Sequence, residues 1–134
     1  MKRVLGIALI LFLFAACGKE QNFVPDYPVR YDVTLQEFGI YAKNNVLLVP
    51  NQGVAGLMIV KSPTGAYLAF DRCSTVNPEK ACAVTPDDSG FTATDPCSGG
   101  KFLLLDGSPQ KAPAERSLKR YTVVISGATL SVRN

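Results

Sequence analysis

The feature that most constrains the fold of this chain is a series of short β-type runs, each broken off by Gly, Pro, Asn or Asp. The candidates are Arg30–Leu35, Val46–Val49, Val54–Lys61, Ala66–Asp71, Phe91–Thr94, Phe102–Leu105, Tyr121–Ser126 and Thr129–Arg133. Runs of this length and spacing read as strands. No stretch keeps a 3.6-residue apolar period over three turns, which excludes a helical bundle. The clearest hairpin joins Tyr121–Ser126 to Thr129–Arg133 across Gly127-Ala128. Gly127 can take the positive φ that a type II′ turn needs at its first central position. Ser62-Pro63-Thr64-Gly65 and Asp106-Gly107 read as two more hairpin turns. Residues 36–45 have room for one helical turn. The expected class is all-β, a small antiparallel sandwich or barrel.

The N-terminus carries a different signal. Met1-Lys2-Arg3 is basic, and Val4 to Ala16 is an apolar run. The run is too short to cross a hydrocarbon core, which takes roughly 20 helical residues. It has the length of the apolar region of a secretory signal. It closes on Phe14-Ala15-Ala16-Cys17, which resembles a lipobox with Phe14 where Leu is common. Residues 1–16 are therefore expected to be a lipoprotein signal peptide and Cys17 the lipidation site. Acyl chains contribute about 0.8 kcal/mol per buried methylene, so several of them make a firm anchor. Residues 17–28 are polar, with Pro25 and Pro28, and are expected to tether the domain to the membrane. Fully extended, such a tether reaches roughly 35 Å.

The remainder, residues 29–134, suits one domain. Formal charge is +3, and drops to +1 when Lys2 and Arg3 leave with the signal. A charge this small argues against nucleic acid and against a polybasic membrane patch. The chain has no histidine, so a serine-hydrolase triad of the usual kind is impossible. Gly53, Gly56 and Gly65 are followed by no Gly-Lys-Ser/Thr and make no phosphate loop. Asp87-Asp88-Ser89-Gly90 reads as a turn. Lys111, Arg116, Lys119 and Arg120 form a basic run that reads as a solvated edge. The chain is not expected to be an enzyme.

Residues 53–132 resemble a Rieske iron–sulfur domain, with the elements in that family's order. Ala66-Tyr67-Leu68-Ala69-Phe70-Asp71-Arg72-Cys73 resembles the strand that delivers the first ligand cysteine. Asp95-Pro96-Cys97-Ser98-Gly99-Gly100-Lys101-Phe102 resembles the second ligand loop. Leu105-Asp106-Gly107-Ser108 and Ala112-Pro113-Ala114 resemble the turn and Pro loop that follow, and Leu118–Val123 the closing strand. Short Rieske-like lipoproteins of Bacteroidota have a similar layout.

The resemblance implies a 2Fe–2S site in loops at about 71–101. One iron of such a site hangs from two Cys thiolates and the other from two His imidazoles. In the resemblance, Cys73 holds the first ligand position and Thr75 stands where a histidine belongs. Asp95 stands for the second ligand cysteine and Ser98 for the second histidine. Cys97 falls on the family's non-ligand cysteine, which implies a disulfide to Cys82; Cys73–Cys97 and Cys73–Cys82 remain as competing pairs. A second register aligns Cys97 with the ligand cysteine and puts Gly100 at the histidine. Both registers lack imidazole.

The expectation is a Rieske-like domain that has lost its ligands and binds no cofactor and no metal. It would be a binding or structural protein of the cell envelope, anchored by lipid, with the outer membrane favoured. The domain would lie in the periplasm or at the surface, facing an unidentified envelope protein. The alternatives are an electron-transfer protein with a 2Fe–2S cluster on Cys73, Cys82, Cys97 and Asp95, or a thiol-redox accessory acting through Cys73.

Overall fold

The computed structural model describes residues 23–134; the expected signal peptide and Cys17 lie outside the described residues. Among the described residues, ten strands form two antiparallel sheets. They are β1 (Arg30–Thr34), β2 (Val46–Val49), β3 (Leu57–Lys61), β4 (Tyr67–Asp71), β5 (Thr85–Pro86), β6 (Thr92–Thr94), β7 (Lys101–Leu103), β8 (Pro109–Lys111), β9 (Arg120–Ser126) and β10 (Thr129–Arg133). A six-stranded sheet has the order β1-β10-β9-β4-β3-β2, and a four-stranded sheet the order β5-β6-β7-β8. The all-β expectation holds.

The expected turns form as read. Ser126 pairs with Thr129 across Gly127, whose φ is +59°. Ser62 N–H donates to Ala66 O at 2.8 Å and Gly65 N–H to Ser62 O at 2.9 Å, closing the β3–β4 hairpin. Gly107 joins β7 to β8 at φ +83°, and a Cβ there would sit 2.7 Å from the Phe70 ring. Glycine is thus required at Gly107 for both conformation and space.

Several strand ends differ from expectation, and at four of them another partner takes the backbone. Strand β3 begins at Leu57 rather than Val54, since Val54 and Ala55 donate their N–H groups to the Asp71 carboxylate. Strand β1 stops at Thr34, which caps a helix. Strand β7 runs Lys101–Leu103, because Leu104 N–H turns to Phe91 O. With its carbonyl so engaged, Phe91 lies just outside β6.

The helix, α1 (Leu35–Tyr41), is longer than the single turn expected. Thr34 Oγ1 accepts from Glu37 N–H and Glu37 accepts from Thr34 N–H, a reciprocal capping box. At seven residues it is too short to show a period, and its one buried residue, Phe38, meets the Tyr67 ring edge-on at 5.1 Å. Strands β5 and β8 had no sequence signal, being two and three residues long and built around Pro86 and Pro109.

Two apolar cores lie on opposite faces of β3 and β4. Leu57, Ile59 and Ala69 belong to one, with Val33, Phe38, Leu130 and Val132. Met58, Val60, Leu68 and Phe70 belong to the other, with Val84, Ala93, Phe102, Leu104 and Leu118. Strand β3 is therefore buried on both faces, which is why it reads Leu-Met-Ile-Val without polar alternation. The small sheet and its loops are inserted in sequence between β4 and β9, which pair directly at Ala69↔Tyr121 and Phe70↔Arg120.

The segment expected as tether is held against the domain from Val24 onward. Val24 is buried, Lys119 Nζ reaches Pro25 O and pairs with Asp26, and Asn134 Nδ2 donates to Tyr27 O at 2.7 Å.

Candidate functional site

Two loops meet beyond the ends of β4 and β6. The first leaves β4 at Asp71, a fully buried carboxylate that accepts four hydrogen bonds. The donors are Val54 N–H (2.7 Å), Ala55 N–H (3.1 Å), Cys73 N–H (2.8 Å) and the Tyr121 hydroxyl (2.8 Å). Burial, with the bond to Asp71 and its charge, pushes the Tyr121 hydroxyl far above its ordinary pKa. Asp71 thereby fixes where the first loop starts. The loop then passes Cys73-Ser74-Thr75, makes a 3₁₀ turn over Pro78–Lys80, and returns through Ala81 in the left-handed conformation. Ser74 N–H donates to Cys82 O at 2.8 Å, so the loop closes on itself as a hairpin.

The second loop is built by Asp95. Its Oδ1 accepts from Cys97 N–H at 2.8 Å, the local turn that Asp favours. Asp95 N–H donates to Gly100 O and Gly99 N–H to Asp95 O, both at 2.8 Å.

Asp95 also joins the two loops. The Asp95 side chain is buried, with 1% of its surface exposed, and its Oδ2 accepts from Ser74 Oγ at 2.7 Å and Ser98 Oγ at 2.6 Å. Burial alone would raise its pKa. The hydroxyls of Ser98 and Ser74, with the N–H groups of Cys97 and Ser98, outweigh burial and hold it below the usual carboxylate range. A disulfide between Cys82 and Cys97 is the covalent link, with Cα atoms 6.3 Å apart. It is the pair that the family resemblance implies, and it closes a loop with a sequence separation of 15. Such a closure is worth about 3 kcal/mol in the chain-entropy model.

The other expected site residues point elsewhere. Cys73 is fully buried, and its thiol faces Ser74 O (3.7 Å) and Pro78 O (3.5 Å). Burial, with the charges of Asp71, Asp95 and Glu79, pushes it up to about 11. Thr75 Oγ1 donates to Arg116 O at 2.7 Å, tying the first loop to the Pro-loop segment. The structure thus brings Asp95, Ser98, Cys82 and Cys97 together and leaves Cys73 and Thr75 outside. The residue that sequence reasoning missed is Ser74, one position beyond Cys73. Its neighbours gave no signal, because a Ser between Cys and Thr has no distinguishing pattern. Gly100 is buried with Ala114 N 3.1 Å from where its Cβ would lie, so a side chain there would press on the Pro loop. Asp87 is the turn residue expected: it accepts from Thr92, Thr94 and Lys101, holding the small sheet together.

No family model matches the sequence, and no curated protein does. Solved structures do match. The plasma-membrane Rieske protein PetC3 from the cyanobacterium Synechocystis superposes with a TM-score of 0.61, at 23% identity, over 81% of this chain and 100% of that one. The ferredoxin of carbazole 1,9a-dioxygenase from Nocardioides aromaticivorans gives 0.52 at 18% identity, over 80% of this chain and 97% of the ferredoxin. A ferredoxin from Sphingomonas yanoikuyae gives 0.51 at 18% identity, over 69% and 88%. The inserted small sheet, its two cross-linked loops and these likenesses together identify the fold as that of a Rieske domain.

Proposed function

We propose that this chain is a lipid-anchored protein of the cell envelope, with the outer membrane favoured. On this reading its Rieske-fold domain works without a 2Fe–2S cluster, as a non-catalytic binding or structural module. The observation that carries the proposal is Asp95: a buried carboxylate with two serine hydroxyls occupies the meeting point of the two loops. A Rieske cluster there needs two thiolates and two imidazoles. The chain contains no histidine, and two of its cysteines are spent on the disulfide. Serine hydroxyls ionise far above neutral pH and make poor iron ligands. The residues present do not fit the cluster.

The geometry supports a register one residue later than the one read from sequence. Ser74, rather than Cys73, corresponds to the first ligand cysteine, because it is the residue that faces Asp95. Val76 then stands at the first histidine, packed against the second core. Asp95 and Ser98 keep the correspondence given above. The brace of Ser74, Asp95 and Ser98, together with the disulfide, does mechanically what a cluster would do: it holds two loops at a fixed separation.

The alternative cluster on Cys73, Cys82, Cys97 and Asp95 loses two thiolates to the disulfide, and the Cys73 thiol lies against Ser74 O and Pro78 O, outside the group formed by Cys82, Cys97 and Asp95. A thiol-redox role for Cys73 is opposed by its burial and its raised pKa, since the thiolate is the nucleophile. The partner on this reading is an envelope protein, with the bilayer engaged through Cys17.

The test is metal and sulfide analysis of natively exported protein, purified without oxygen. The expected sample is colourless, with iron and acid-labile sulfide far below one per chain. Near-stoichiometric iron with sulfide overturns the proposal.

A further inference from the structure

Cys82, Cys97 and Asp95 form a second arrangement with chemistry of its own. The two sulfurs and one Asp95 oxygen all lie within 4.8 Å of one another. Cys97 is exposed and Cys82 half-buried, so a reductant can reach the disulfide from solvent. Asp95 is buried behind it with its orientation fixed by Ser74, Ser98 and the Cys97 N–H. We propose that reduction of the Cys82–Cys97 disulfide opens a mononuclear site for a divalent ion of the zinc class, held by both thiolates and the Asp95 carboxylate. The proposal rests on the cluster-free reading in that the seat must not already hold iron.

The donor set matches such an ion. Zinc takes sulfur at about 2.3 Å and carboxylate oxygen at about 2.0–2.2 Å, in a tetrahedron. Neighbouring donors around it then stand about 3.5–3.8 Å apart, a span that the three atoms can adopt once the sulfurs are no longer bonded. Three protein ligands leave a fourth position for water. The Ser74 and Ser98 hydroxyls would serve as the outer partners that keep a ligating carboxylate oriented. No imidazole is needed, and neither Cys73 nor Thr75 takes part.

The chemistry balances as two steps. A dithiol reductant gives two electrons and two protons to the disulfide and is itself oxidised to a disulfide, leaving two thiols. The ion then displaces both thiol protons, which go to solvent, as two sulfur–metal bonds form. The reverse step uses a disulfide-class oxidant, which takes up the two electrons and two protons from solvent and leaves as a dithiol while the Cys82–Cys97 bond re-forms and the ion is released.

The experiment uses the natively exported full chain, with iron and sulfide assayed first on the same preparation. Iron with sulfide there defeats the cluster-free reading itself. With that assay negative, the protein is reduced with a phosphine, and Zn²⁺ binding is followed by native mass spectrometry and Co²⁺ substitution by absorbance. The expected result is one ion per reduced chain and none per oxidised chain. The Co²⁺ form should show sulfur-to-metal charge transfer scaled to two thiolates. Asp95→Asn should weaken Zn²⁺ binding tenfold or more, and Cys73→Ser should leave it unchanged. Because Asp95→Asn can also disturb the loops, the wild-type Co²⁺ spectrum reads the donor set independently. Absence of binding after reduction, equal binding by the oxidised chain, a one-thiolate spectrum or loss through Cys73→Ser would each overturn the proposal.

Discussion

Asp95 has lost its water and gained protein donors, and the balance between those two effects decides what it contributes. Burial disfavours the charged form. Hydrogen bonds to a charged group are worth about 1.5–3 kcal/mol each, and three of them win. Asp95→Ala strands the buried Ser74 hydroxyl, the half-buried Ser98 hydroxyl and an N–H, so we expect a loss of about 3 kcal/mol in urea unfolding. Asp95→Asn keeps an oxygen acceptor and should lose less. The pKa of Asp95 is lower folded than unfolded. Its stabilising effect is therefore complete above the unfolded value of about 3.9 and disappears as pH falls through the folded value. Unfolding free energy measured between pH 6 and pH 2 should fall more steeply for the wild type than for Asp95→Asn. Parallel profiles would show that the carboxylate is not held ionised. At this scale the sequence was half legible. Asp95 and Ser98 could be placed because Pro96, Gly99 and Phe102 mark the second loop. Ser74 could not, because the first loop has an insertion around Pro78–Lys80 and nothing in Cys-Ser-Thr says which side chain turns inward.

At the scale of elements, the register proposed for the two loops can be tested by rebuilding a metal seat. The four positions that the register proposed above assigns to ligands are Ser74, Val76, Asp95 and Ser98. The combined variant Ser74→Cys, Val76→His, Asp95→Cys, Ser98→His supplies two thiols and two imidazoles, the donor set of a Rieske centre. Reconstituted with iron and sulfide, it should become coloured and give a reducible paramagnetic centre. The control keeps Cys73 and carries Thr75→His, Asp95→Cys and Ser98→His. It should stay colourless, because Cys73 faces Pro78 O and Thr75 faces Arg116 O. A coloured control with a colourless quadruple variant would return the register to the one read from sequence. Strands were readable where a turn residue framed them, as with Gly127 between β9 and β10. They were misjudged where a side chain competes for the backbone: Asp71 takes the N–H groups of Val54 and Ala55 and delays β3 by three residues. The helix α1 was read as no more than one turn because its evidence is a cap, Thr34 with Glu37, rather than a period.

For the whole molecule, the decisive feature is that one pair of strands serves two cores. Odd residues of β3 face the core shared with β1 and β10, and even residues face the inserted small sheet. A domain built this way cannot lose one core without exposing the middle of its main sheet. Strand β3 was legible as part of the run Val54–Lys61, but only the folded arrangement shows that it is covered on both faces and that the second cover is the inserted sheet. The consequence is cooperative unfolding even with the site's cross-link reduced. Met58 and Ile59 are both fully buried, on opposite faces. Each replaced by Ala should cost about 2–5 kcal/mol, the range for deleting a large buried side chain. Ile59→Ala touches only the core remote from the loops, yet it should lower the midpoint seen by a probe on Cys97 in the reduced protein as much as the midpoint seen by far-ultraviolet circular dichroism. Two separated transitions, with the loop probe untouched by Ile59→Ala, would mean that the inserted sheet folds as its own unit and that the shared strands do not couple the cores.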